Sequence, residues 1–174
     1  MRIIMNQNNL FDIIQNVAVS TIALQSFVLG YHAIAKNKEE KYLYPKIEYL
    51  FYVLPIVYHE SSMSTFGSSK QLHSALMNNK SIILGLQDRA VKMSKQTFDG
   101  LNLAFCKNIL FFNKSNNTVG LMDEFSKKKL PLTTSTNFEE NSVKKIQTSA
   151  YKLGNLFAKT NDKNIQISLN IRFQ

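Results

Sequence analysis

Apolar residues near the start of the chain recur at helical spacing. At about 100° per residue, Leu10, Ile13, Ile14, Val17, Leu24, Val28, Tyr31 and Ala35 fall on one face, and Phe11, Ala18, Val19, Ile22, Leu29 and Ala33 make a second. A helix that is apolar on two sides is one surrounded by other elements. The pattern predicts a central core helix from about Asn9 to Lys36. No formal charge lies between Ile13 and Ala35, a length that could cross a bilayer. Gln15, Asn16, Ser20, Thr21, Gln25, Ser26 and His32 lie in the same stretch and would be costly in hydrocarbon, so a buried helix is the expectation.

After the charged break "KNKEEK", a second helix is expected from Tyr44-Pro45 to about Tyr58, with Pro45 suited to its first turn and a kink or an early end at Pro55. "ESSMSTFGSS" has loop composition, and Ser69 is placed to cap a short helix running to Met77. Ile82, Ile83, Leu86, Ala90, Met93, Thr97, Phe98, Leu101, Ala104 and Phe105 then cover about half of a helical circumference. Asp88–Lys92 and Lys95–Asp99 pair at i,i+4 on the other side, and Gly100 is expected to divide the helix. "NILFFN" and "TVGLM" flank the turn-rich "KSNN", which predicts a β-hairpin with Lys114 at its tip and with Asn116 and Asn117 both suited to positive φ. Thr136 and Glu139 form a capping box ahead of an amphipathic helix through Val143, Ile146, Ala150, Leu153 and Phe157. The tail alternates Ile165, Ile167, Leu169, Ile171 and Phe173 with polar residues, which predicts a half-buried strand added to the hairpin.

The expected fold is therefore mainly α (α+β): a helical core over 9–107, a winged-helix-like hairpin over 108–123, and a C-terminal helix and strand over 137–173 that completes a small sheet. The whole of 1–174 is expected to be a single domain, a natural size for 174 residues.

Charge adds a direction to this picture. Of the net +9, residues 1–60 contribute nothing, with five basic and five acidic side chains. Residues 61–130 carry ten basic against four acidic groups, and 131–174 six against three. A positive field concentrated in the middle and the C-terminal part favours anionic partners. Lys107, Lys114, Lys127, Lys128 and Lys129 are the candidate nucleic-acid contacts. A lone cysteine, Cys106, rules out an internal disulfide framework and fits a reducing compartment. With no clean signal peptide, the cytoplasm is the expected location.

Recognisable catalytic chemistry is missing. His59-Glu60 opens like a zinc-protease motif, but Met63 stands where H-E-x-x-H needs its second histidine. His32, His59 and His73 are scattered, and no phosphate-binding P-loop or G-x-S-x-G elbow occurs. No enzyme activity, cofactor or metal is expected.

The order of these motifs resembles that of the middle components of prokaryotic three-component ABC systems, to which the Lamassu-type defence systems are related. "YLFYVLPIVYH" is similar to that family's Leu-Pro-apolar-Val-apolar-His stretch, and "FGSSKQLHSALMNNKSIILGLQDRAVKM" to the segment after it, with Arg89-Ala90. "TFDGLNLAFCKNILFF" looks like the helix entering the hairpin, and "AYKLGNLFAK" like the C-terminal helix. The chain departs from the pattern at Asn8-Asn9, where the family often has Asn-Pro, and in "ESSMSTFG". The resemblance implies a non-catalytic adaptor that joins an SMC-like ABC ATPase to an effector, often a nuclease, in an anti-phage or anti-plasmid complex. Partner contacts would then sit where the apolar helix meets the following loop, at His59, Glu60 and Phe66. Double-stranded DNA held by the complex could lie against the basic residues, an inference from charge. The alternative is a stand-alone winged-helix DNA-binding regulator, which would offer Gln87, Arg89, Gln96 and Asn102 as base-reading side chains.

Overall fold

The computed structural model describes residues 16–38, 42–59, 61, 65–66, 69–132 and 137–171, with the backbone alone for 137–141. The predicted Thr136–Glu139 capping box lies outside the described residues and side chains.

The first helix, α1 (Val17–Ala35), begins where Asn16 accepts a hydrogen bond from the Ala18 N–H at 2.8 Å. As its two apolar faces predict, it is enclosed: every residue from Ala23 to Tyr31 is buried. It is long and apolar enough to cross a membrane by length and composition, yet 67% of its most apolar window is covered by the rest of the chain. Its polar residues are satisfied from outside the helix as well as within it. Thr21 Oγ1 lies 2.9 Å from the Gly100 carbonyl oxygen, Gln25 Nε2 donates to the Lys128 carbonyl at 3.0 Å, and Ser20 Oγ meets the Tyr58 hydroxyl at 3.3 Å. A buried polar group left alone would be destabilising, so these bonds tie three distant segments to one helix.

The second predicted helix is two short ones, α2 (Ile47–Leu50) and α3 (Val53–Val57). The break falls at residues 51–52, one turn before Pro55, which has no N–H to give the Phe51 carbonyl. Pro45 lies just outside α2, and its carbonyl accepts from Val119 N at 3.0 Å. Helix α4 (Leu72–Asn78) starts later than expected, and Ser69 bonds back to the Thr65 carbonyl instead of capping it.

The long predicted helix divides at Met93 into α5 (Leu86–Lys92) and α6 (Ser94–Cys106). Gly100 breaks nothing. It is the point where α6 presses on α1: a methyl group there would lie 2.9 Å from the Ser20 Cβ. Gly85, with φ of 64°, opens α5 from a turn that Arg89 clamps by donating to the Ile82 and Leu84 carbonyls.

Strands β1 (Leu110–Asn113) and β2 (Thr118–Leu121) form the predicted antiparallel hairpin, with Leu110 opposite Leu121 and Asn113 opposite Thr118. Asn117 takes the positive φ, 55°. All four residues of β2 are buried, so the hairpin lies against the body. What extends it is the stretch before α2: Lys46 bridges to Thr118, and Ile47 N donates to the Asn117 carbonyl at 2.8 Å.

Among the described residues the expected C-terminal strand is not formed, and the sheet has two strands. After α7 (Asn137–Lys159), residues Asp162–Leu169 form helix α8. Asn161 caps it, accepting from Asn164 N at 2.8 Å, and Asn170 closes it with φ of 52°. The alternation that suggested a strand also has a helical reading. Ile165 and Leu169 are four apart and fully buried on one face, whereas Ile167 is 63% exposed on another.

The centre of the molecule is the crossing of α1 and α7. A methyl group on Gly30 would lie 2.0 Å from the Tyr151 carbonyl oxygen, and one on Gly154 would lie 2.1 Å from the Phe27 carbonyl oxygen. Each glycine lets the other helix's backbone approach. Phe27 and Phe157 then meet edge to face at 5.3 Å, and Tyr49 closes on Phe157 at 5.5 Å. Gly154→Ala is expected to cost about 3 kcal/mol or more, the upper range for overpacking. At this chain length that lowers the midpoint of thermal unfolding by roughly 6–12 °C. Differential scanning calorimetry of the variant checks it; an unchanged midpoint would mean the helices cross elsewhere.

Candidate partner and nucleic-acid surfaces

The candidate basic residues are set around the hairpin but not gathered at one point. Lys107 is exposed at the end of α6, beside the base of the hairpin, and Lys114 is exposed at the tip. Four-residue strands separate them by roughly 13 Å. Asp123 and Glu124, both exposed, follow β2 at the base and dilute the positive field around Lys107. Lys127 and Lys128 are exposed on the segment leading away. Lys129 is half-buried with its ammonium 4.7 Å from the centre of the Tyr151 ring. Burial, then the nearby Lys152, pushes its pKa below the ordinary lysine value. The triplet therefore has two parts. Lys127 and Lys128 offer charge to solvent, whereas Lys129 and the Lys128 carbonyl help to hold this strap on α1 and α7. Gln147 adds to the hold by donating to the Leu130 carbonyl at 2.9 Å.

The three residues expected at a partner contact have different fates. His59 is half-buried at the end of α3, its Nδ1 2.8 Å from Ser61 Oγ. Glu60 lies outside the described residues. Phe66 is 2% exposed and belongs to the core, so it offers no surface to a partner. Arg89 and Gln87, two of the side chains that could have read bases, are engaged within the chain. Arg89 holds the turn before α5, and Gln87 accepts from the Tyr52 hydroxyl at 2.9 Å.

Two features escaped the sequence patterns. The first is apolar. Phe98, predicted as core, is 52% exposed, and Val91 is 65% exposed. They are seven residues apart. The i→i−4 bonding continues through the junction, from Met93 N to Arg89 O and from Thr97 N to Met93 O, so both face the same way. The lysine–aspartate pair expected beside them forms, with Lys95 Nζ 2.6 Å from Asp99.

The second is a cleft of about 880 Å³ where the end of α1, the approach to α2 and the α7–α8 turn meet. Four lysines (Lys38, Lys46, Lys159 and Lys163) line it with one described carboxylate, Asp162. Lys46 Nζ lies 2.6 Å from Asp162, and the Tyr49 hydroxyl donates to the same carboxylate. These residues come from positions more than a hundred apart, and no local motif announces them.

A mainly helical chain with one small antiparallel sheet, an exposed apolar seam and two positive regions is defined by its surfaces. Among the described residues no His, Cys, Asp and Glu group could hold a metal ion. The family comparison agrees with the motif order: the family model of ABC-three component (ABC-3C) system Middle Component 3 matches residues 5–173, so the chain belongs to that family. No curated protein and no solved structure gives a match. A middle component is one subunit of a system of several, and so has partner subunits.

The Asp162 cluster makes stability sensitive to alkali. Burial first, then the bond to Asp162, pushes the Tyr49 hydroxyl far above its ordinary 10.0. Burial, then the Asp162 charge, does the same to Tyr31, and burial pushes Tyr58 up to about 12. The hydrogen bond to Asp162 likewise raises Lys46 above 10.5. A group whose folded pKa exceeds its unfolded one contributes fully below the unfolded value and loses that contribution as pH rises towards the folded one. Thermal midpoints are therefore expected to hold up to about pH 9.5 and fall steeply above about pH 10. Tyr49→Phe removes one of these groups, so its alkaline decline should be shallower; parallel curves for the two proteins would count against the assignment.

Proposed function

We propose that the chain is a non-catalytic, cytoplasmic adaptor subunit that links an SMC-like ABC ATPase to an effector, such as a nuclease, in a Lamassu-type defence complex against phage or plasmids. The observation that carries the adaptor role is the exposed apolar seam of Val91 and Phe98 on a chain whose family works as part of an assembly. Apolar residues flanked by charged ones at two-turn spacing suit a partner helix or groove. The basic residues support a further part of the reading: DNA held by the complex lies against Lys127 and Lys128, with Lys107 and Lys114 as outlying contacts. Such contacts neutralise phosphates without reading bases.

Two experiments test this. The tagged protein, expressed from its native operon and recovered at moderate salt, should bring down an ATPase and an effector identified by mass spectrometry. Val91→Asp with Phe98→Asp, at side chains 65% and 52% exposed, should lose at least one of them while the variant keeps its helical circular dichroism. Recovery of no partner by the unaltered protein would remove the adaptor reading. Separately, Lys127→Glu with Lys128→Glu should weaken DNA retention by the assembled complex about tenfold or more at low salt, since two phosphate contacts become repulsive. Equal retention would remove the DNA contact and leave the adaptor role standing.

A further inference from the structure

The cleft between α1, α2 and α8 has no part in the adaptor reading, yet it gathers charge in a way that a soluble surface does not require. Like charges a few ångströms apart repel by about 1 kcal/mol even in water, so a fold gains nothing in stability by converging four lysines on one concavity. Only one of the four is neutralised by the described carboxylate: Lys46, through Asp162. Lys38 donates to the Ala158 carbonyl at 3.3 Å, a neutral partner. Lys159 and Lys163 are exposed and have no acidic partner among the described residues. Asp162 itself is covered by Lys46 and the Tyr49 hydroxyl, so it presents little bare negative charge to a ligand. Tyr31 and Tyr49 remain protonated at neutral pH and add none.

Beside the lysines stands an aromatic face. Tyr42 is 49% exposed, and the Lys46 ammonium lies 5.9 Å from the centre of its ring. Thr160 and Asn161 also line the cleft, with the Thr160 hydroxyl donating to the Leu156 carbonyl and Asn161 Oδ1 capping α8. A volume of about 880 Å³ lies within the range of small-molecule sites. Lysines bind phosphate as mobile point charges, and an aromatic face stacks a base of any identity. An acidic peptide would use the lysines and leave the exposed ring without a purpose.

We propose that this cleft binds a nucleotide through its phosphate, with Lys38, Lys159 and Lys163 around the phosphate oxygens and the base against Tyr42. The same chemistry is offered by a free nucleoside triphosphate and by the 5′-phosphorylated end of a nucleic-acid strand. The site is separate from the Lys127–Lys128 surface, and it stands or falls independently of the adaptor role.

The test uses the purified 174-residue chain and isothermal titration calorimetry with four probes: ATP, inorganic triphosphate, and an eight-nucleotide single strand with and without a 5′-phosphate. Saturable binding of ATP or of the phosphorylated strand is expected, and which of the two binds identifies the source. Lys159→Gln with Lys163→Gln should weaken it about tenfold or more, the loss expected when charge-assisted bonds are removed. Tyr42→Ala should weaken the base-bearing probes and leave inorganic triphosphate unaffected. All three side chains are exposed enough that the variants should keep the thermal midpoint of the parent, measured alongside. Lys127→Gln with Lys128→Gln should change nothing. The proposal is overturned if no probe binds at millimolar concentration, or if triphosphate binds as tightly as ATP. It is equally overturned if the Lys127–Lys128 variant loses as much affinity as the Lys159–Lys163 variant, which would mark unspecific attraction to a basic protein.

Discussion

Helices α1 and α7 cross where neither carries a side chain. Gly30 meets the backbone at Tyr151, and Gly154 meets the backbone at Phe27 and Tyr31. Glycine is poorly suited to a helix interior, at a cost of about 1 kcal/mol relative to alanine for each position. Here the cost is offset by contact between two backbones, which brings Phe27, Tyr49 and Phe157 within edge-to-face distance. Much of the remaining fold takes its position from this crossing. Helix α6 lies on α1 through a third close contact, at Gly100, and β2 is buried against the same body. The cleft opens where the end of α1 passes the end of α7.

The polar residues of α1 explain how a helix apolar enough for a membrane works inside a protein. Thr21, Gln25 and Ser20 each bond to a different later segment: α6, the strap at Lys128, and the end of α3. In hydrocarbon these groups would be a burden; here they fix register. Apolar packing alone tolerates sliding between helices, whereas a buried hydrogen bond is lost on displacement by a fraction of an ångström. The strap that carries the exposed Lys127 and Lys128 is thus positioned by the core helix, through Gln25 and Gln147.

Local chemistry made parts of this legible. Asn117 in the hairpin turn and the stepping of Val143, Ile146, Ala150, Leu153 and Phe157 along α7 follow directly from residue type and spacing. Where sequence reading went astray, two patterns coincided or one contact was remote. Ile165 and Leu169 satisfy both a strand's period and a helix's i,i+4 step, and the asparagines at 161 and 170 decide for the helix by capping it. Gly100 looked like a breaker because its purpose lies eighty residues away, at Ser20. Phe98 lies at the edge of its apolar stripe, where it packs on Phe51 with ring centroids 4.9 Å apart and keeps about half of its surface exposed. The basic stretch at 127–129 was visible as a run. Lys38, Lys46, Lys159 and Lys163 were not, because only the tertiary fold brings 38–46 to 159–163.

Charge counted by segment also pointed away from the cleft. Residues 1–60 balance five basic against five acidic groups, yet two of those lysines, Lys38 and Lys46, face a cavity with two more from the far end of the chain. A segment's net charge does not say which side chains the fold brings together, and exposed charges more than a Debye length apart, about 8 Å at physiological salt, are largely screened from one another, whereas a site acts over hydrogen-bond distances. The two scales divide the work of the positive groups. Lys107, Lys114, Lys127 and Lys128, spread over an exposed surface, suit long-range attraction to a polyanion whose exact position is set by other subunits. The converging lysines, with the Tyr42 ring beside them, suit recognition of one phosphate at contact range. Neutralising either set should leave the other's field largely intact, because screening by salt separates them. That independence lets the two proposed surfaces, one for nucleic acid and one for a nucleotide, be altered one at a time.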